Sequence, residues 1–147
     1  MIRVEKLGHA MLEVRELERA ITFYRLLGLR EVARRDFGAG MTVFLSAGAT
    51  HHDLALVQSA APSPRRGAAA LHHLAFKIGD TLDRLSRAKR ELEAAGTRIL
   101  MALDHHVSQG LYVEDPDGNL IELYVDAGEA LWRADPALVA SSDRLTL

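Results

Sequence analysis

The chain contains no cysteine. Disulfides, zinc–thiolate clusters and thiol nucleophiles are therefore excluded together, and any metal must be bound through nitrogen and oxygen. Nor does it hold an apolar run approaching the ~18 residues of a membrane-spanning helix. Its formal net charge is only −2. So small an excess offers no electrostatic case for nucleic acid or an anionic membrane as partner. Met1 to Glu5 opens directly on a strand-like pattern, with no basic segment followed by an apolar one, so a cytoplasmic address is the expectation. What is present is the composition of an ordinary globular domain, with 48% hydrophobic and 26% charged residues in 147. That length suits one hydrophobic core rather than two independent domains.

Within it one module occurs twice. Ile2 to Val14 is expected as a strand. Glu16 to Leu27 is expected as a helix, because Leu17, Ala20, Ile21, Tyr24 and Leu27 recur at helical spacing before a stop at Gly28. Arg30–Asp36, Met41–Ala47 and Leu54–Gln58 follow as three strands. The stretch from Ser59 to Gly67, rich in proline, serine and arginine, reads as an exposed connector. The order then restarts, with a strand over Leu71–Ile78 and a helix with Asp80 as its candidate cap. That helix carries Leu82, Leu85, Lys89 and Leu92 and stops at Gly96. Strands over Arg98–Leu103, Leu111–Glu114 and Leu120–Val125 complete the second β-α-β-β-β unit. The organisation expected is one domain over residues 1–126 (module 1–59, linker 60–70, module 71–126). A tail over residues 127–147, with Trp132, Pro136 and Leu138, is assigned to packing or dimer contacts. Asp115-Pro116-Asp117-Gly118-Asn119 reads as a tight hairpin turn before the last strand.

The candidate site follows from the repeat. His9-Ala10-Met11-Leu12-Glu13-Val14 aligns with His73-Leu74-Ala75-Phe76-Lys77-Ile78, which places one histidine at the same point of each module. Strand alternation puts His9 with Met11, and His73 with Ala75, on the face opposite the apolar set that packs on the helices. Glu122 shares a face with Leu120 and Tyr124, opposite the apolar Ile121, Leu123 and Val125, and a carboxylate in that setting needs a partner. Two imidazoles and one carboxylate suit Fe(II) or Mn(II) in a facial triad with open positions, and Zn(II) and Ni(II) are also admitted. Each residue alone has an ordinary structural explanation, a satisfied core histidine or a salt-bridged edge glutamate; the repeat is what favours ligation.

The segments Leu7-Gly8-His9-Ala10-Met11-Leu12-Glu13-Val14, His72-His73-Leu74-Ala75-Phe76, Asp104-His105-His106-Val107-Ser108, Tyr112 and Asp115 to Tyr124 resemble the vicinal oxygen chelate superfamily, which comprises glyoxalases, bleomycin resistance proteins and extradiol dioxygenases. The small catechol 2,3-dioxygenase-like branch is the most similar, chiefly through the Asp-His-x-Val-Ser segment. The resemblance implies an α+β fold of two tandem βαβββ modules forming an open, metal-centred β-barrel, with His9, His73 and Glu122 at the metal positions. It implies a small-molecule substrate, O2 as co-substrate, and a homodimer. It further implies His105 as acid–base group and Tyr112 as hydrogen-bond donor to the substrate, although the sequence does not distinguish His105 from His106 as the inward-facing ring. His51-His52 reads as a polar strand end.

Ala55 aligns with Glu122, so the first module lacks the second carboxylate that glyoxalase-type sites carry. That lowers the lactoylglutathione lyase reading; a ring-cleaving dioxygenase leads, with another metal-dependent lyase, isomerase or resistance transferase of the superfamily as the alternative. A non-catalytic module that sequesters a drug or aromatic ligand is a third reading, disfavoured by the complete ligand set. Arg34, Arg35, Arg65 and Arg66, the candidates for an anion patch, read as a solvated face.

Overall fold

In the computed structural model, residues 7–38, 40–59 and 71–147 are described. The start of the first predicted strand and the predicted linker over 60–70, with Arg65 and Arg66, lie outside them. The chain divides into two compact units, Met1–Ala68 and Ala69–Leu147. Among the described residues no helix is long and apolar enough to cross a membrane.

The first unit runs β1 (Ala10–Val14), α1 (Leu17–Leu26), β2 (Arg30–Asp36), β3 (Met41–Ser46) and β4 (Leu54–Gln58), with sheet order β1-β4-β3-β2. The second repeats it as β5 (Leu74–Gly79), α2 (Leu82–Ala94), β6 (Ile99–Asp104), β7 (Ser108–Glu114) and β8 (Leu120–Asp126), in the order β5-β8-β7-β6. In both, the first and last strands pair in parallel and the other pairs are antiparallel. Each module is thus the βαβββ unit expected from the repeat.

The helices form where apolar residues recur on one face. Leu17, Ala20, Ile21 and Tyr24 are buried on α1, and Leu85 and Leu92 on α2. Each buried leucine or isoleucine among them contributes about 1.5–3 kcal/mol through burial. Both helices end as the glycines predict: Gly28 and Gly96 take φ of +91° and +78°, and the amides of Leu29 and Thr97 turn back to the carbonyls of Tyr24 and Leu92. Left-handed closure of this kind favours glycine because it lacks Cβ. On β1, Leu12 and Val14 are buried while Met11 and Glu13 are exposed, and on β8 Ile121, Leu123 and Val125 are buried, so the expected alternation holds.

Several expectations need correction. His9 and His73 stand immediately before β1 and β5 rather than within them. Thr81, whose hydroxyl accepts from the Arg84 amide, caps α2 in place of Asp80. Asp80 is instead drawn 2.6 Å from the Lys77 ammonium. Strand β7 starts three residues early, because the backbone of Ser108–Gly110 pairs with that of Tyr124–Asp126 whatever its polarity. Past β8 the chain forms α3 (Glu129–Ala134), a 3₁₀ turn over Pro136–Ala140 and β9 (Asp143–Arg144), which adds to the sheet beside β6.

Candidate metal centre

In the second unit β8 carries Glu122 between two neighbours, Ala75 on β5 and Tyr112 on β7. Glu122 is buried at 7% exposure. Its Oε2 lies 3.2 Å from Nε2 of His73. Two donors each bound at about 2.1 Å to one ion, and at about a right angle, stand about 3 Å apart. The separation and the N/O chemistry therefore fit two neighbouring ligands of a divalent cation. The second ring nitrogen of His73 is 2.7 Å from Nδ1 of His72, which fixes the ring from behind. Arrangements of this sort orient a metal-binding histidine.

Gly110 is what lets the carboxylate lie there. A Cβ at this position would fall against the Glu122 carboxylate oxygen, and only 3.2 Å from both Glu122 Cδ and Tyr112 Cε2. Gly110 lies just before the strand expected from Leu111, so the residue pattern does not mark it as a strand-interior glycine, the signal of close approach by another group.

Tyr112 packs edge-on against His73, with ring centroids 5.9 Å apart. Its hydroxyl lies 3.0 Å from Nε2 of His105. Burial first, and then the charge and hydrogen bonding of Glu122, hold the phenol well above its ordinary range, so it keeps its proton at neutral pH. His105 Nδ1 lies 2.7 Å from the carbonyl of Ser141. The turn that aims this ring is tight: the His105 amide bonds the Ser108 carbonyl, Val107 bonds back to His105, and His106 adopts φ of +63°. That left-handed residue is held by Asp104 at its amide and by Asp143 at its Nε2, 2.7 and 2.8 Å away. Of the adjacent pair, His105 therefore faces Tyr112 and His106 faces outward.

His9 belongs to the first unit. Its ring lies 4.3 Å from that of His52, which also meets Phe44 edge-on at 5.2 Å and stands 2.6 Å, nitrogen to nitrogen, from His51. Desolvation, followed by the neighbouring His9 and His51, lowers the affinity of His52 for a proton. His52 is thus a packed neighbour of His9 rather than a bare polar strand end. Of the arginines, Arg34 is engaged by Glu31 and Glu18, and Arg35 lies over Phe37. Within either unit, among the described residues, no group of three or more acidic or histidine side chains is gathered for a metal; the second unit assembles His73, Glu122, Tyr112 and His105.

The chain has relatives among known proteins. The chain is 32% identical over 140 residues to a catechol-2,3-dioxygenase of Bacillus subtilis (strain 168), covering 88% of this chain and 44% of that protein. It is 31% identical over 131 residues to biphenyl-2,3-diol 1,2-dioxygenase 2 of Rhodococcus globerulus, covering 86% and 65%. The chain thus spans less than two thirds of the length of either relative. Among solved structures, a glyoxylase/bleomycin resistance protein/dioxygenase domain from Frankia sp. EAN1pec superposes with a TM-score of 0.75 at 17% identity, over 86% of this chain and 96% of that one. A fosfomycin resistance protein, FosX, from Listeria monocytogenes, complexed with Mn(II) and 1S,2S-dihydroxypropylphosphonic acid, gives 0.69 at 17%, over 90% and 98%. At such identities the structural likeness speaks for the fold alone. The sequence matches one family over residues 6–123, and on that extent the chain belongs to the Glyoxalase/Bleomycin resistance protein/Dioxygenase superfamily.

Proposed function

We propose that the chain is a metal-dependent extradiol-type dioxygenase that opens a catechol-like ring beside its diol, with His9, His73 and Glu122 as the metal ligands. The observation that carries this reading is the contiguity, within one unit, of the His73–Glu122 pair and the Tyr112–His105 relay. A divalent ion held there, Fe(II) or Mn(II), would supply Lewis acidity toward the two adjacent oxygens of the ring and the one-electron chemistry that O2 requires.

The protein's own groups do the rest. Tyr112, kept protonated by burial and by Glu122, is a hydrogen-bond donor at the point where a hydroxyl or phenolate oxygen of the ring approaches His73 and Glu122. His105, 3.0 Å from that hydroxyl, takes a proton from the diol at Nε2 and returns it later. Imidazole suits both directions because its ordinary pKa lies near neutrality. The dioxygenase names of the two relatives support the reaction class, and Ala55, where Glu122 has its counterpart in the first unit, supports three protein ligands rather than four.

The test is oxygen uptake after anaerobic loading with Fe(II) or Mn(II), using a panel of substituted catechols. Uptake matched by formation of a yellow ring-fission product is expected. A stoichiometric metal with no uptake on any catechol would move the assignment to a lyase or transferase of the superfamily, and failure to bind metal would move it to a ligand-binding protein.

A further inference from the structure

The residues beyond β8 end close to the acid–base histidine. Ser141 leaves the 3₁₀ turn with its amide bonded to the Leu138 carbonyl, 2.9 Å away, and its backbone extended at φ −72° and ψ +146°. Its own carbonyl is then aimed at His105 Nδ1, 2.7 Å away. Immediately after it the chain pairs with β6, Asp143 opposite Asp104 and Arg144 opposite Leu103. The Leu145 amide adds a bond of 3.0 Å to the Ala102 carbonyl, and the Asp143 carboxylate holds His106 Nε2 at 2.8 Å. The carbonyl facing His105 is therefore anchored on both sides along the chain.

A carbonyl oxygen can only accept, so the nitrogen that faces it carries the proton. In a neutral ring the other nitrogen then holds a lone pair, and the hydrogen bond made by one nitrogen decides which role the other plays. We propose that Ser141–Leu145 is a positioning element for His105: the Ser141 carbonyl fixes the ring as its Nδ1–H tautomer and turns the Nε2 lone pair toward the Tyr112 hydroxyl. The inference rests on the reading of His105 as acid–base group, since only there does the choice of tautomer matter to turnover. The phenol's single proton rests on Nε2 until substrate arrives and then turns to the substrate oxygen, freeing that lone pair; with the opposite tautomer Nδ1 would set its lone pair against the Ser141 carbonyl oxygen, and Nε2, a donor, could accept nothing from substrate. Asp143 serves the same end indirectly, by pinning the outward His106 and with it the turn that carries His105.

The tautomer can be read without activity. Imidazole nitrogen shifts of the full chain, labelled with nitrogen-15 at histidine and freed of paramagnetic metal, distinguish Nδ1–H from Nε2–H, and His105→Asn identifies the His105 signals. The native chain is expected to show His105 as Nδ1–H. Replacing Asp143 by Ala together with Leu145→Pro removes the His106 clamp and the strand donor, and His105 should then show mixed tautomers while the His9 and His52 signals stay in place. Oxygen uptake by the same variant should fall about 10–100-fold, in kcat rather than KM. An Nε2–H ring in the native chain overturns the proposal, and this reading alone decides should the double variant not fold. So does an Nδ1–H ring that persists once the Arg144 and Leu145 amides exchange freely. If the tautomer responds as stated but His105→Asn leaves uptake intact, the positioning role stands and the acid–base role falls.

Discussion

The two units share a scaffold and differ in chemistry at corresponding positions. In the first, β4 sets Ala55 beside Met11 of β1 and Phe44 of β3; in the second, β8 sets Glu122 beside Ala75 of β5 and Tyr112 of β7. The hairpin that leads into the last strand is organised by an aspartate in both. Asp53 accepts from the Ala47 amide and the hydroxyls of Thr50 and Ser46, and Asp115 from the amides of Asp117 and Asn119 and the side chain of Asn119. A duplicated βαβββ frame thus keeps its strand order and its glycine helix stops in both copies. The carboxylate and its phenol are specific to one of them. The lesson is that the frame can carry a buried acid only where neighbours satisfy it. Glu122 has His73, Tyr112 and the space left by Gly110, whereas in the first unit Phe44 offers no donor to a carboxylate at position 55.

That contrast can be broken most severely at the relay. His105→Asn removes the group assigned to proton transfer and keeps a side chain that can hydrogen-bond. It should lower kcat for ring cleavage about 10²–10⁴-fold while metal content stays at the native level; steady-state oxygen uptake and elemental analysis check the two halves. Next in size is Gly110→Ala, whose methyl would meet the Glu122 carboxyl. The strand can persist, but the ligand is displaced, so metal affinity is expected to drop about 10–100-fold, read by competition with a chromophoric chelator.

Asp53→Asn probes the shared scaffold instead of the chemistry. Burial would raise the Asp53 carboxyl, but the Ala47 amide and the Thr50 and Ser46 hydroxyls outweigh it and hold the pKa below its ordinary value. A depressed folded-state pKa contributes stability that is fully present above the unfolded value, about 3.9, and is lost as pH falls through the folded one. The substitution should cost about 1 kcal/mol at pH 7, discounted for partial exposure, and the gap from the native chain should begin to narrow only below about pH 4; denaturant titrations from pH 7 down to about pH 2 measure it. The smallest change is Phe44→Tyr, which copies the phenol of Tyr112 into the first unit. With Ala55 opposite and no carboxylate to meet, it should shift stability by less than about 0.5 kcal/mol and leave metal content and turnover unchanged. A gain or loss of bound metal there would show that the units are not chemically distinct.

Much of this frame is legible in the residue pattern. Leu17, Ala20, Ile21 and Tyr24 announce α1, Gly28 and Gly96 end the helices, Asp115 and Gly118 form the turn, and the alternation around Glu122 marks the carboxylate that requires a partner. The parts that escape the pattern depend on contacts remote in sequence or on backbone atoms. Thr81 rather than Asp80 caps α2 because the helix starts at Leu82, and Asp80, one residue outside the cap, pairs with Lys77. Strand β7 begins in Ser-Gln-Gly, where no apolar alternation signals pairing, and β9 consists of two exposed charged residues. The need for glycine at 110 arises from a side chain on the neighbouring strand. The partner of His105 is a main-chain carbonyl 36 residues away, which any residue at 141 other than Ser would also present.

The central claim is that Glu122 with His73 forms part of a metal centre. Elemental analysis of the chain purified without chelator, beside its Glu122→Ala variant, tests it most directly. The account predicts close to one Fe or Mn per native chain and less than about a tenth of that in the variant, because loss of the carboxylate removes both a bond and the charge that balances the cation. Equal metal content in a folded variant would contradict it.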